Sequence, residues 1–168
     1  MRTSHYTWGQ IALHWLSALF IIWALVMGSY VALFNVSATF KAMIAALNVS
    51  LSMLFIPFFA VRTWLRIRHL RAHGHSPGER LAGWVHNLIY SVTGLVLATG
   101  VLMMNRPIEI FSWLTLPQPL LDPLWLQRFH VLHVGLNVLL AALVVLHVLA
   151  VVKHEWAGVR VLRRMKWG

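Results

Sequence analysis

The chain has 168 residues, of which 60% are apolar and 11% are charged, against roughly 45 to 50% and about 25% in an average globular protein. So little polar surface excludes a soluble enzyme and a disordered tail, and the absence of cysteine excludes a disulfide scaffold and a thiolate metal site. The formal net charge of +10 would suit a nucleic-acid partner, but the basic residues are distributed as in a membrane protein, so we expect no nucleic acid to bind.

Four hydrophobic stretches occupy most of the chain. They lie at residues 11–34, 40–65, 81–104 and 129–152, and each reaches the length of about 20 residues that crosses the hydrocarbon core of a bilayer. The predicted fold is therefore an all-α bundle of four transmembrane helices, forming one domain over residues 1–168. Pro57 predicts a local kink in the second helix, and Gly94 and Gly100 allow close helix packing in the third.

The basic residues indicate how this bundle is oriented. Three of the fourteen Lys and Arg fall on one side of the predicted spans (Lys41, Arg106 and Arg128), and the rest fall on the other side (Arg2, Arg62, Arg66, Arg68, Arg71, Arg80, Lys153, Arg160, Arg163, Arg164 and Lys166). Because positive charge accumulates on the cytoplasmic side, both termini are predicted to be cytoplasmic. The loop at residues 105–128 is rich in proline and aromatic residues, and we expect a short helix and turns along the outer interface.

Four of the ten histidines fall inside predicted spans: His14, His86, His133 and His147. Ionisable side chains in a membrane are costly and usually face the bundle interior or a functional pathway. His133 and His147 are 14 residues apart on one helix, which is four turns less about 40° and about 21 Å along the axis. Both rings are therefore predicted to point into the bundle, one near each membrane face.

Depth predicts which of these histidines meet. His14 lies early in the first span and His147 late in the fourth, so both lie towards the cytoplasmic side, where two facing imidazoles can hold the iron of a b-type haem. Arg62 and Arg66, at the cytoplasmic end of the second span, are candidate partners of the haem propionates. His86 lies at a similar depth, and we assign it to a role beside the ligands or at a quinone site.

Each of these histidines also has a simpler explanation. A single histidine in a membrane helix can hydrogen-bond to a neighbouring helix without any cofactor. His130 and His154 fall at the membrane interface and are expected to be hydrated, and the loop residues His69, His73 and His75 have only weak metal-ligand spacing. A cofactor is favoured over separate hydrogen bonds because several histidines occur together within the predicted spans at matching depths.

Short motifs occur in all four spans: ALHW in the first, NVSLSM and AVR in the second, LAGWVHNLIY and VLMMNRP in the third, and FHVLHVG and LHVLAVVKH in the fourth. Together they resemble the bacterial cytochrome b561 family, which is similar to the cytochrome b subunits of hydrogenases and formate dehydrogenases. The resemblance covers nearly the whole chain. It implies a bacterial inner-membrane protein with two b haems that exchanges electrons with a quinone such as ubiquinone, and with iron ligands at His14, His133 and His147.

The fourth ligand position of the family, in the second span, corresponds here to Asn48, which is 14 residues before Arg62 and is followed by Val-Ser. An asparagine amide is a poor iron ligand compared with an imidazole, so the sequence leaves one or two haems open. The outer haem is held by His133 alone with an open or water-filled sixth position, or another side chain replaces the ligand (Met43, Met103 or His130), or the outer haem is absent. We favour an outer haem with altered ligation, because His133 and the residues around it still match the pattern of the family.

The predicted function is a membrane electron carrier that passes electrons between a donor and the quinone pool. As a stand-alone oxidoreductase it would take electrons from a small donor, and the resemblance implies superoxide as one candidate, attracted by Lys41, Arg106 and Arg128. The alternative is a membrane cytochrome b subunit that anchors a larger dehydrogenase or hydrogenase. The expected partners are therefore quinone, membrane lipid, a redox partner subunit and a second copy in a homodimer.

A function without haem is the third hypothesis. Divalent-metal transport is disfavoured, because the four acidic residues (Glu79, Glu109, Asp122 and Glu155) lie in loops or the tail rather than within the spans. A haem-free membrane scaffold stays open, because Asn48 shows that one ligand position has changed.

Overall fold

The computed structural model describes residues 8–73 and 80–158. Over these ranges the chain forms α1 (Trp8–Leu33), α2 (Ala38–His73), α3 (Arg80–Leu102), β1 (Ile108–Ile110), β2 (Leu114–Leu116) and α4 (Pro123–Trp156). The four helices are each long and apolar enough to cross a membrane, which confirms the predicted four-helix bundle. Several residues used above lie outside the described part, namely Arg2, His75, Glu79, Arg160, Arg163, Arg164 and Lys166, as do the side chains of His69, His73 and Arg80.

The observed helices are longer than the hydrophobic stretches that predict them. α4 begins at Pro123 rather than at residue 129, because the side chain of Asp122 accepts a hydrogen bond from the backbone N–H of Leu124 at 2.8 Å. This N-cap satisfies a free amide at the helix start, where proline is also well tolerated. α2 runs unbroken through Pro57 and continues past residue 65 to His73, which carries its arginines towards the polar membrane surface.

The loop between α3 and α4 differs from the expectation. The predicted short helix is wrong: β1 and β2 pair as an antiparallel hairpin, with Ile110 opposite Leu114. Phe111 and Ser112 turn the chain with positive φ angles of 46° and 60°, a conformation that a right-handed helix does not use. Prolines just outside both strands explain the difference, because each lacks the amide donor that a continuous helix requires.

The hairpin is held against one end of the bundle by Ser50 of α2. The Ser50 hydroxyl donates to the carbonyl of Glu109 at 3.2 Å and accepts from the N–H of Phe111 at 3.1 Å. Ile108, in β1, is only 1% exposed, so one face of the hairpin packs against protein. We call this end of the bundle the hairpin end, and the opposite end, where α2 carries its arginines, the arginine end.

The helices associate as two antiparallel pairs. α1 packs along α2 and α3 packs along α4, whereas the two pairs approach each other most closely between α2 and α3, over a short stretch. In the first pair the rings of Phe20 and Phe55 lie 4.4 Å apart. In the second pair Val92, Leu140 and Leu143 form a buried core. The interval between the two pairs is therefore filled by side chains rather than by close backbone contact, as a site for a flat group between helices requires.

Candidate functional site

Two layers of residues can be defined, because each helix repeats a polar or small residue after 14 positions. This step returns a helix to within about 40° of the same face, about 21 Å further along. The layer near the arginine end, the arginine layer, consists of His14, Arg62, His86 and His147. The layer near the hairpin end, the hairpin layer, consists of Gly28, Asn48, Gly100 and His133.

Contacts between helices support the arginine layer and, in the hairpin layer, the pairing of Gly100 with His133. In the arginine layer His14 of α1 meets Arg62 of α2, and the imidazole rings of His86 and His147 lie 5.1 Å apart. The helices of each pair are antiparallel, so 14 residues forward on one match 14 residues back on the other. Gly28 therefore falls opposite Asn48 by the same register.

His14 is bound by Arg62 in a way that determines its tautomer. The two side chains are 2.9 Å apart, from Arg62 Nη2 to His14 Nδ1. A guanidinium can only donate hydrogen bonds, so Nδ1 of His14 accepts, and the ring proton of a neutral His14 lies on Nε2. This hydrogen bond links α1 to α2 inside the membrane-spanning part of the chain.

His147 lies against His86 rather than standing alone. Their rings meet at an interplanar angle of 61°, and Arg62, bound to His14, lies over the ring of Tyr90, one turn after His86 on α3. All three imidazoles are half-buried. The structure thus brings together the two predicted iron ligands, His14 and His147, and adds His86 to the same cluster.

Arg62 and Arg66 share one aromatic platform. The guanidinium carbons lie 5.1 Å and 4.8 Å from the centre of the Tyr90 ring, and Arg66 donates to the Asn87 side-chain oxygen at 2.7 Å. None of these partners carries a negative charge, and α1, α2 and α3 contain no Asp or Glu. Two cations held by neutral partners attract an anionic ligand.

At the hairpin end, His133 is anchored through its Nδ1. This atom lies 3.1 Å from the carbonyl oxygen of Val96 and 3.1 Å from the hydroxyl of Thr99. The Thr99 hydroxyl has its own acceptor in the carbonyl of Leu95, at 2.7 Å, so Nδ1 of His133 is the donor to both. The ring proton is then on Nδ1, and Nε2 keeps a free lone pair.

Gly100 lies directly against the His133 ring. A Cβ atom on Gly100 would lie 3.1 Å from Cε1 of His133, which is closer than ordinary van der Waals contact. At Gly28 a Cβ atom would meet nothing within 4 Å. The hairpin layer therefore has little side-chain volume on α1 and α3, and its one imidazole is packed tightly against α3.

Asn48 lies on the face of α2 that Arg62 shares, and its Oδ1 atom is buried without a hydrogen-bond partner in the described part of the chain. An unpaired amide oxygen in the bundle is costly. The three residues named as replacement ligands differ in placement: Met43 is 49% exposed, His130 is exposed and Met103 is half-buried. His154, like His130, is exposed, as expected for the interface.

Sequence reasoning missed the residues that position the predicted site. Tyr90 is one turn after His86, and Thr99 directly precedes Gly100. The spacing of His86 and Tyr90 could have indicated Tyr90, because residues four apart share a helix face. The hydrogen bonds to Thr99 and to the Val96 carbonyl depend on how α3 and α4 pack, which the sequence does not show. Among the described residues, no three His, Asp or Glu side chains converge to hold a bare metal ion.

Comparison with known proteins identifies the family. A family model described as prokaryotic cytochrome b561 matches residues 5–168, and no curated protein matches the chain. The match spans all four membrane helices and both histidine-bearing layers. The chain therefore belongs to the prokaryotic cytochrome b561 family, whose members are membrane proteins that carry electrons on haem b.

Proposed function

We propose that the chain passes electrons to or from the quinone pool through a haem b held in the arginine layer by His14 and His147. The observation that carries this proposal is the convergence, at one depth of the membrane, of imidazoles and of arginines whose described partners are neutral. Ionisable groups in such a place are functional by default. Arg62 and Arg66 bind the propionates, and His86 lies beside His147 as a neighbour of the ligand.

The residues of the arginine layer suit this cofactor in chemistry and charge. Imidazoles can ligate haem iron, and cofactor sites in helix bundles are built from side chains on facing helices; α1 and α4 each offer one imidazole in this layer. The macrocycle needs an apolar slot, and its carboxylates need cations. Tyr90 holds Arg62 and Arg66 together without neutralising them, so both guanidinium groups keep their charge for the propionates.

For His14 to hold iron through Nε2, Arg62 would have to change partner. Iron binds the lone pair of a histidine nitrogen, usually Nε2, and in the structure Arg62 directs the proton of His14 to that atom. If Arg62 bound a propionate instead of His14, Nδ1 of His14 could carry the ring proton and the Nε2 lone pair would be available to iron. Arg62 is thus expected to contact either His14 or the cofactor.

Haem b supplies one-electron chemistry at the iron, and the protein supplies burial, ligand orientation and charge. An open, largely apolar face lies at the arginine end of α4, formed by Leu149, Val152, Lys153, Trp156 and Ala157. It starts two residues after His147 and offers one amine among apolar side chains. A quinone is apolar with carbonyl acceptors, so this face is its proposed approach to the arginine layer.

The test uses the purified protein in detergent, reduced with dithionite. Addition of a short-chain ubiquinone is expected to reoxidise the haem, and Lys153→Leu is expected to raise the quinone concentration needed for half the maximal rate. Lys41→Leu, at the hairpin end, is the matched control and leaves that concentration unchanged. A protein without haem would overturn the whole proposal. A haem that ferricyanide reoxidises and quinone does not would overturn the quinone assignment.

A further inference from the structure

α2 carries arginines on two different faces near the arginine end. Arg62 and Arg66 contact residues of α1 and α3 and therefore face the bundle. With a turn of about 100° per residue, Arg71 lies on the face opposite Arg62, and Arg68 lies about 120° from Arg62 and about 160° from Arg66. Both Arg68 and Arg71 are exposed. This second pair points away from the arginine layer and needs a separate explanation.

We propose that Arg68 and Arg71 bind the phosphate of an anionic phospholipid, whose glycerol and acyl chains lie against Trp64 and Ile67. We call these four residues the lipid site. The proposal does not depend on haem, so it can fail without affecting the proposed function. It gives the lipid contact of this membrane protein a defined place and a defined headgroup charge.

The lipid site lies at the depth of the lipid headgroups. Tryptophan is enriched where the hydrocarbon core meets water. Each helix has an exposed tryptophan near the arginine end: Trp8, Trp64, Trp84 and Trp156. The apolar span of α2 ends at Arg68. Arg68 and Arg71 are about 6 Å and about 10 Å further along α2 than Trp64, so their guanidinium groups reach the level of the phosphates.

The charges of the lipid site favour an anion. Arg68 and Arg71 are three residues apart and so are neighbours on one helix face, where like charges repel each other. α2 contains no Asp or Glu, and neither do α1 and α3, the helices that pack against it. Among the described residues at this end the one carboxylate is that of Glu155, on α4, which packs along α3. A phosphate between the two guanidinium groups would replace their repulsion by charge-assisted hydrogen bonds.

The apolar half of the lipid site distinguishes a phospholipid from a free phosphate. Trp64 is 57% exposed and Ile67 is 44% exposed, and together with Arg68 and Arg71 they line one open surface. The guanidinium carbon of Arg68 lies 5.6 Å from the centre of the Trp64 ring, which places the cation beside the apolar surface. A phospholipid matches both parts, whereas a free phosphate would use the arginines alone.

The experiment is native mass spectrometry of the purified protein in detergent, titrated with phosphatidylglycerol or with phosphatidylethanolamine of the same acyl chains. The wild type is expected to bind the first phosphatidylglycerol more tightly than the first phosphatidylethanolamine. In the double variant Arg68→Gln with Arg71→Gln, the Kd for phosphatidylglycerol is expected to rise about tenfold, because each basic residue near an anionic lipid contributes to binding. The Kd for phosphatidylethanolamine is expected to stay the same.

The matched control is the double variant Lys41→Gln with Arg128→Gln, which removes two exposed cations at the hairpin end. Arg128 also lies over a tryptophan, with its guanidinium carbon 5.1 Å from the centre of the Trp125 ring, but no second arginine is one turn away. This variant is expected to keep the preference for phosphatidylglycerol. An equal loss of binding in both double variants would overturn the proposal, because net charge alone would then attract the lipid.

Two further results would also contradict the lipid site. Equal binding of the two lipids by the wild type would overturn it, and the carboxylates of a partner subunit would then be the better match for the arginines. Glycerol 3-phosphate carries the phosphate without acyl chains and is expected not to displace the lipid at equal concentration; displacement would overturn the lipid assignment. Arg71→Gln alone covers the case in which the double variant does not fold, and an unchanged Kd for phosphatidylglycerol in it would overturn the proposal.

Discussion

Arg62 interacts with two neutral side chains, His14 and Tyr90, and its charge is the property that matters for electron transfer. Reduction of a haem adds negative charge, so a nearby guanidinium stabilises the reduced state. Arg62→Gln is expected to lower the midpoint potential by an amount on the order of 1 kcal/mol of charge stabilisation, measured by redox titration. Arg68→Gln is the control, because Arg68 is exposed and stacks on Trp64. Equal potentials for the two variants would contradict the assignment of Arg62 to the propionates.

The contact between Gly100 and the His133 ring can be tested by a single substitution. Gly100→Ala places a methyl group 3.1 Å from the ring of His133, and crowding of this kind typically costs about 1 to 3 kcal/mol. Gly94→Ala is the matched control, because it also removes a glycine from a helix interior. Its methyl group would lie 3.7 Å from Phe59, at ordinary contact distance. The expected result is a lower melting temperature and lower haem content for Gly100→Ala only. The same loss in both variants would mean that the His133 contact is not special.

The hairpin is the element whose attachment can be tested most simply. Removing the Ser50 hydroxyl leaves the Glu109 carbonyl and the Phe111 amide without their partner, which is worth about 1 to 3 kcal/mol for buried groups. Ser50→Ala is therefore expected to speed hydrogen exchange at the Phe111 amide and proteolysis within residues 103–122. Ser52→Ala, two residues along α2, is expected to change neither. Unchanged exchange in Ser50→Ala would show that other contacts hold the hairpin.

At the level of elements, the sequence predicted the four helices well and the hairpin not at all. Long apolar stretches predict membrane helices because every backbone group must be satisfied inside the lipid. The start of α4 depends on the N-cap at Asp122, which hydropathy does not detect. The hairpin is stabilised by Ser50, 59 residues before Glu109, and such a distant contact leaves no local pattern.

The candidate site could be predicted from the sequence only in part. Helical periodicity and depth are properties of the sequence, so His14, His86 and His147 could be grouped before the fold was known. The contact of His86 with His147 and the direction of the Arg62 hydrogen bond depend on how the two helix pairs pack. Those details decide the tautomer of His14, and periodicity carries no information about it.

For the whole molecule, the charge asymmetry predicts that the arginine end faces the cytoplasm. A green fluorescent protein fused after residue 168 is then expected to be fluorescent, whereas alkaline phosphatase at the same position stays inactive. Alkaline phosphatase inserted after residue 112, at the tip of the hairpin, is the control and is expected to be active. The reverse pattern of reporter activities would place the hairpin end in the cytoplasm.

The imidazoles of α1 and α4 are proposed to hold an iron porphyrin in the arginine layer, with His86 only beside them. The most direct measurement is the haem content per chain of purified His147→Ala and His86→Ala, together with their reduced-minus-oxidised spectra. We predict that His147→Ala loses one haem and the absorbance band that belongs to it, while His86→Ala keeps its full haem content. Full haem content in His147→Ala, with the loss appearing in His86→Ala, would contradict the account.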